Sequence, residues 1–229
     1  MFLNTPIANY QQPKVISSGG FVRNIYTPSL FCYLDASDPN SYSGSGTTWY
    51  DLSGNGFNWI MQGSPTFVSS GLNSYFTIYG GINWFKCTYL ALAQLGLYAD
   101  WTVQIILQAT NGTSQNDIYS TNGIGGAGST LIMAFSDQLR GHIWDRNGNA
   151  CVLDSGTSFG SSKKAIAYQV GWDVGASGTS RDIYNGTVQN TRNNSGYVQP
   201  NTTSYTQTYL GTRDGGTGAA FGGAIYGVL

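Results

Sequence analysis

From end to end the chain is written in short runs of β-branched and aromatic residues, each closed by Gly, Asn, Ser or Thr. Runs this short do not sustain the turns of an amphipathic helix, and their residue types suit a pleated, half-buried surface. Gly numbers 32 and Phe, Trp and Tyr together reach 14%, while strong helix formers are scarce. Many short strands with turns every ~8–12 residues predict an all-β sandwich or barrel.

The clearest strand is Trp101-Thr102-Val103-Gln104-Ile105-Ile106-Leu107-Gln108, with Trp101, Val103, Ile105 and Leu107 on one face and mostly polar residues on the other. In a second, over 165–173, Ile166, Tyr168, Val170 and Trp172 alternate with Ala165, Ala167, Gln169 and Gly171, so a neighbouring layer could approach the small face closely. Further strands are expected over 30–34, 75–79, 88–92, 131–135, 139–145 and 224–229. Asn147-Gly148 and Asn185-Gly186 each predict a type I′ hairpin, because both central residues need positive φ. Leu90, Leu92, Leu95 and Leu97 have a weak helical spacing, but Gly96 favours a strand followed by a loop or one helical turn. Residues 30–229 read as one domain. Residues 1–29, with Pro6, Pro13, Gly19 and Gly20 and no sustained alternation, read as an extended N-terminal arm that a partner could order, or as a frayed terminus.

Charge excludes several functions. Only 9% of residues are charged, against about 25% in an average soluble protein, and the net charge is -1. Ten scattered Lys and Arg cannot form the dense basic face that nucleic-acid backbones require. All 11 acidic residues are Asp, and His142 is the single histidine, so a His-Glu-x-x-His metalloprotease is impossible. There is no run of 18 apolar residues to span a membrane. Met1-Phe2-Leu3-Asn4-Thr5-Pro6 lacks the basic and apolar regions of a secretory signal. Cys32, Cys87 and Cys151 are widely spaced without a Cys-x-x-Cys, which predicts three buried thiols, with one distant disulfide as the alternative.

Most motifs fail on context. Gly123-Ile124-Gly125-Gly126-Ala127-Gly128 matches the dinucleotide fingerprint, but an expected strand follows it where a helix is needed. Gly156-Thr157-Ser158-Phe159-Gly160 matches the nucleophile elbow, yet His142 precedes the serine and no helix follows. His142 is expected on a strand face beside Trp144. A glycosidase needs two carboxylates about 5–10 Å apart; no two Asp stand at i,i+2 on a strand, and Asp35 and Asp38 come closest, in a loop. Asp51-Leu52-Ser53-Gly54-Asn55-Gly56 resembles half of a calcium loop, but Gln62 stands where the bidentate acid belongs. An Asx-type turn, with Asp51 capping backbone N–H groups, is preferred over a weak calcium site. Asn-x-Ser/Thr at Asn111, Asn185, Asn193 and Asn201 reads as coincidence. Trp49, Tyr50, Trp59 and Trp84 could stack on sugars, although core packing is the more economical use of each.

The stretch from Leu34-Asp35-Ala36-Ser37-Asp38-Pro39-Asn40-Ser41-Tyr42 through Thr47-Thr48-Trp49-Tyr50-Asp51-Leu52-Ser53-Gly54-Asn55-Gly56 resembles the opening of laminin-G-like, concanavalin A-like jelly-roll domains found in structural proteins of tailed bacteriophages. Asp100-Trp101-Thr102-Val103-Gln104, Asp182-Ile183-Tyr184-Asn185-Gly186, Leu210-Gly211 and Phe221-Gly222-Gly223-Ala224-Ile225-Tyr226-Gly227-Val228-Leu229 are weaker echoes in the same order. Phe57-Asn58-Trp59 departs from the usual pattern in one loop. The resemblance implies an antiparallel β-sandwich, a concanavalin A-like jelly roll, over 30–229; it assigns no catalytic or ligand residue. The expected function is a non-enzymatic virion structural protein: a capsid decoration or tail-associated module, in multiple copies against other virion subunits. The low charge agrees, since so neutral a surface is best covered by neighbours. The alternative is a carbohydrate-binding module for host glycans, and an Asp-dependent glycosidase is a distant third. No cofactor, nucleic acid or membrane partner is expected.

Overall fold

A computed structural model describes residues 16–18, 21–23, 30–79, 81–88, 100–110, 116–121, 130–135, 138–145, 147, 149–158, 160–171, 179–184, 187–193, 207–213 and 219–229. Before the long alternating runs come β1 (Ile16–Ser18), β2 (Phe21–Arg23), β3 (Leu34–Asp35), β4 (Thr48–Trp49), β5 (Trp59–Gln62), β6 (Thr66–Val68), β7 (Tyr75–Ile78) and β8 (Trp84–Cys87). Then follow β9 (Asp100–Ala109), β10 (Asn116–Thr121), β11 (Thr130–Phe135), β12 (Gln138–Trp144), β13 (Ala150–Ser158) and β14 (Lys164–Gly171). The last are β15 (Thr179–Tyr184), β16 (Thr187–Asn193), β17 (Thr208–Leu210) and β18 (Gly223–Val228). No helix occurs among the described residues.

The strands form two antiparallel sheets that make a jelly-roll-like sandwich. The first runs β13-β12-β11-β10-β17-β8-β5-β4; the second runs β16-β15-β14-β9-β18-β7-β6, with β3 also on β18. The inward rows meet as one core. Val103, Ile105 and Leu107 of β9 and Ile166, Tyr168 and Val170 of β14 face Ile132 and Ala134 of β11 and Leu139 and Ile143 of β12. At the other end of the sheets the core is aromatic: Trp49 and Phe76 have ring centroids 4.8 Å apart, and Phe85 lies 5.1 and 5.0 Å from them. Offset and edge contacts of this kind add to the area that the rings bury.

The long strands lie where alternation predicts them, with ends that differ by a residue or more; β14 spans Lys164–Gly171, and the last two residues of its expected range lie outside the described residues. Three expectations change. Over 30–34 only Leu34 is in a strand. Tyr33 is tied instead to the Asp51 loop: its N–H donates to Asp51 Oδ1 at 2.8 Å and its carbonyl accepts from Leu52 N–H at 2.8 Å. The Asn147-Gly148 loop is one residue wider than a type I′ turn, because Trp144 pairs with Ala150 and Asp145 N–H bonds Asn149 O. The buried Asp145 carboxylate holds that loop open, accepting from Asn147 N–H at 2.8 Å and Asn149 N–H at 2.7 Å. The third change is in the arm, which contains a short antiparallel pair, β1 with β2. Ser18 pairs with Phe21 there, so the pair closes across Gly19-Gly20. Around Asn185-Gly186, Tyr184 pairs with Thr187 as a two-residue hairpin requires. The segment Leu90–Leu97 lies outside the described residues.

The long Leu34–Gly56 motif is a folding device. Asp35 is buried; its Oδ1 accepts from Ser37 N–H at 2.9 Å and Ser37 Oγ at 2.7 Å, and its Oδ2 from the Tyr33 hydroxyl at 3.1 Å. Ser41 Oγ receives Asp35 N–H at 3.2 Å and donates to Tyr50 O at 2.7 Å. Asp51 takes four donors: Tyr33 N–H and Ser53 N–H at 2.8 Å on Oδ1, Ser53 Oγ at 2.7 Å and Phe57 N–H at 2.9 Å on Oδ2. The conspicuous polar residues of the motif thus close the chain on itself.

Candidate functional site

The structure sorts the residues that the sequence singles out. Trp49 and Trp59 are fully buried in the core and offer no platform. Tyr50 departs from the core-packing expectation, with half its surface exposed, and Trp84 is half-buried, alternating with the inward Phe85 and so on the outer face of β8. Asp51 makes the Asx-type turn, and with both oxygens engaged by donors it is arranged as a cap. Asp38 caps Asn40, whose N–H and Nδ2 donate to its Oδ1 at 2.8 and 2.9 Å. His142 stands beside Trp144 on β12, ring centroids 5.6 Å apart. It pairs across from Val152, whereas Ser158 lies six residues further along β13, so the two are roughly 20 Å apart and form no catalytic pair. Gly123–Gly128 is outside the described residues; a strand follows it, as the sequence predicts. Cys32, Cys87 and Cys151 are buried thiols outside any disulfide. Among the described residues no three His, Cys or Asp side chains gather as a metal site.

The face with usable chemistry was not marked by any motif. It is the outer side of the second sheet, around β7, β18, β9 and β14. Inward residues alternate with outward ones along each strand, so Tyr75 and Thr77 of β7, Ala224 and Tyr226 of β18, Ile106 and Gln108 of β9 and Ala165 and Ala167 of β14 share this side. Thr77, Ala224 and Gln108 lie in register across three strands. Ile78, Gly223 and Ala109 form the next, inward row; past it Gly222 meets Thr110, and Tyr79 follows the end of β7. Thr110 donates to Gly222 O from both N–H and Oγ1, each at 2.9 Å.

Side-chain size gives this face its relief. Gly222 contributes nothing above the backbone and Ala224 a single methyl, so β18 lies at the bottom of a shallow trough whose floor is itself buried, as are Ile106, Ala165 and Tyr226 beside it. Tyr79, Thr77 and Tyr75 stand on one side; Thr110 and Gln108 stand on the other. Gly223 sets its depth, since a Cβ there would lie 2.2 Å from Gln108 O and 2.9 Å from Ala109 Cα; only glycine lets β18 lie so close to β9.

Polar groups along the trough are held in place. The Tyr75 and Tyr226 rings pack at 5.1 Å, and the Tyr226 hydroxyl donates to Gln108 Oε1 at 3.2 Å. Burial, and next to it Tyr75, pushes the Tyr226 phenol upward, so it stays a donor. With Oε1 engaged, the Gln108 NH2 is the donor for anything lying on the face. At the margin, Lys163 Nζ sits 3.9 Å over the Tyr226 ring and donates to Asn73 Oδ1 at 3.0 Å. The loop that carries Tyr79 is rigid: its N–H donates to Asn83 Oδ1 at 2.8 Å, while Asn83 Nδ2 donates to Ser64 O at 3.1 Å.

The outer face of the first sheet is different. It carries a small buried cluster of Leu131, Met133 and Trp144 with charges matched in pairs. Arg140 Nε meets Asp154 Oδ1 at 2.5 Å; Arg213 Nε meets the buried Asp117 Oδ2 at 2.8 Å, and Nη2 reaches Oδ1 at 3.4 Å. His142 lies among them. Burial first, then Arg140, with Arg213 adding and Asp154 opposing, lowers its pKa below the usual histidine value. These charges are spent on one another.

No family model matches this sequence, and no curated protein matches it. Solved structures match the fold. A receptor-binding domain of botulinum neurotoxin C/D mosaic serotype aligns with a TM-score of 0.59 at 9% identity, covering 86% of this chain and 45% of that one. The domain of botulinum neurotoxin type C, whose passage into cells depends on interaction with two ganglioside molecules, aligns at 0.60 and 10%, covering 87% and 47%. A binding domain of botulinum neurotoxin DC in complex with SialylT aligns at 0.56 and 11%, covering 87% and 47%. The chain spans less than half the length of these proteins, and the likeness is one of fold: a β-sandwich.

Proposed function

We propose that this β-sandwich is a non-catalytic carbohydrate-binding module. The observation that carries the reading is the outer face of the second sheet, where exposed Tyr79 and Thr110 and half-buried Tyr75, Thr77 and Gln108 stand around the buried Ala224. A pyranose ring has an apolar C–H face, suited to an aromatic side chain, and a rim of hydroxyls that each donate and accept. Gln108, Thr77 and Thr110 match the rim; Tyr79 and Tyr75 match the face. The folding of the ganglioside-dependent and SialylT-bound neurotoxin domains supports the choice of ligand class. Because this chain spans under half of them, its own residues carry more weight. A non-catalytic role is supported by the fate of the carboxylates: Asp35, Asp51, Asp117 and Asp145 are each engaged by hydrogen-bond donors inside the fold.

The test is a glycan array followed by calorimetry on the whole chain and on Gln108→Ala. Retention of a glycan, weakened about tenfold by losing one hydrogen-bonding amide, supports the reading. Retention of none, or binding indifferent to both Gln108→Ala and Thr77→Ala, overturns it.

A second reading, a structural component of a tailed-bacteriophage virion at the capsid surface or tail, rests on the likeness of Leu34–Gly56 to such proteins and on the low charge. The two roles are compatible, since a virion subunit can also touch host polysaccharide. Mass spectrometry of purified particles tests it, and absence of this chain from them removes it.

A further inference from the structure

The outer face of the first sheet continues past its paired charges, over β17, β8 and β5. Inward Trp59, Phe85 and Cys87 alternate there with outward Ile60, Trp84 and Lys86. Ile60, Lys86 and Tyr209 form one row across the three strands, and Gln62 pairs with Trp84 in the row beside it. We infer that this part of the face is a separate binding site, on the sheet opposite Gln108, for an acidic saccharide: a sugar ring bearing a carboxylate or sulfate, with Lys86 receiving the acid.

Lys86 is the cation with its charge to give. Among the residues whose side chains are described, Arg140, Arg213, Lys163 and Lys164 are engaged by Asp154, Asp117, Asn73 and the Gly160 carbonyl. Lys86 has no such partner and is half-buried between Ile60 and Tyr209. A lysine so placed lays its stem along the sheet and carries its ammonium to water. A hydrogen bond from it to an anionic oxygen is roughly twice as strong as a neutral one.

The surroundings fit the body of a sugar. Trp84 is half-buried with its Nε1 turned away from water, so it shows ring carbon to a ligand, and Ile60 is exposed. The apolar C–H face of a pyranose suits both. Gln62 Nε2 donates to Met61 O at 3.0 Å, which leaves its Oε1 to accept; Gln207 Oε1 is taken by the Tyr209 hydroxyl, which leaves its NH2 to donate. Sugar hydroxyls use both kinds of partner. An extended acidic peptide fits less well, because it would dock by main-chain bonding to a sheet edge, and β5, β8 and β17 are each paired on both sides.

NMR titration of the whole chain tests this, with a glucuronate-bearing disaccharide, a sulfated disaccharide, the neutral parent of each, and an Asp-rich peptide. The variants are Lys86→Gln, Lys86→Arg, Ile60→Asp, which sets an acid directly across from Lys86 to occupy it, and Gln108→Ala on the opposite sheet. At least one acidic disaccharide should bind about tenfold tighter than its neutral parent. That advantage should vanish in Lys86→Gln and Ile60→Asp, return in Lys86→Arg and persist in Gln108→Ala; which acid shows it separates carboxylate from sulfate. Acidic and neutral probes bound alike, an advantage untouched by Lys86→Gln, or a peptide held as tightly as the sugars overturns the inference. An advantage lost in Gln108→Ala puts the acid on the second sheet, which overturns this site and leaves carbohydrate binding in place. If no saccharide binds, both readings fall. Should Ile60→Asp fold poorly, as its unfolding midpoint would show, Lys86→Gln and Lys86→Arg decide.

Discussion

Asp51 shows how one side chain can look like a ligand and act as a joint. Its carboxylate gathers three backbone N–H groups and one hydroxyl from positions 33, 53 and 57, fastening the segment before β3 to the loop after β4. Removing it strands those donors. Asp51→Ala should cost on the order of 2–4 kcal/mol, given about 1–3 kcal/mol for each buried group left unsatisfied and the water that some will regain; Asp51→Asn, which keeps one acceptor, should cost less. Urea unfolding of both variants measures this, and equal stability of Asp51→Ala and the native chain would contradict it. His142 makes a second prediction. Its pKa is lowered in the fold, so the unfolded chain binds the proton more readily. The stabilising contribution is therefore complete above the unfolded value of about 6.5 and is lost as pH falls through the lower folded value. Unfolding midpoints measured from pH 7 to pH 5 should decline, and His142→Asn should flatten that part of the slope.

At the scale of elements, the strands that could be read were those long enough to show a period. β9, β12 and β14 alternate over seven residues or more, and their inward faces follow from the sequence. β4 has two residues and β6 and β17 three, too few to display alternation, so neighbouring strands define them. The trough was not legible for a related reason. It is assembled from outward positions of β7, β18, β9 and β14, far apart in sequence, and register decides that Thr77, Ala224 and Gln108 meet. Conversely, Trp49 and Trp59 are prominent in the sequence but belong to the core. Gly141 went unnoticed within β12, yet it fixes how closely the sheets approach. A Cβ there would lie 2.1 Å from a ring carbon of the buried Tyr168 on the facing sheet. Gly141→Ala should destabilise by about 1–3 kcal/mol through overpacking. Combining it with Tyr168→Leu should recover part of that loss, and a double-mutant cycle by chemical denaturation reads the coupling; strict additivity would show that the two do not press on each other.

Across the whole molecule, scarcity of charge and placement of charge act together. The chain has 21 ionisable Lys, Arg and Asp side chains, and several are turned inward: Asp35, Asp117 and Asp145 are buried, as is Lys164, whose Nζ donates to Gly160 O at 2.7 Å. Others are matched across the first sheet. Around Ala224 the described side chains of the second sheet's outer face are tyrosine, threonine and glutamine, so interactions there depend on contact and hydrogen bonding rather than on long-range attraction. Ionic strength separates the two kinds of recognition. Raising salt from 0.1 M to 1 M shortens the screening length from about 10 Å to about 3 Å, which weakens capture of an anionic partner by exposed cations but leaves stacking and neutral hydrogen bonds nearly untouched. Binding of a neutral oligosaccharide should therefore change by less than about twofold over that range, while any residual binding of acidic glycans should fall. A steep loss with salt would mean that the ligand is held by charge, and would move attention from the tyrosine trough to the arginines of the other sheet.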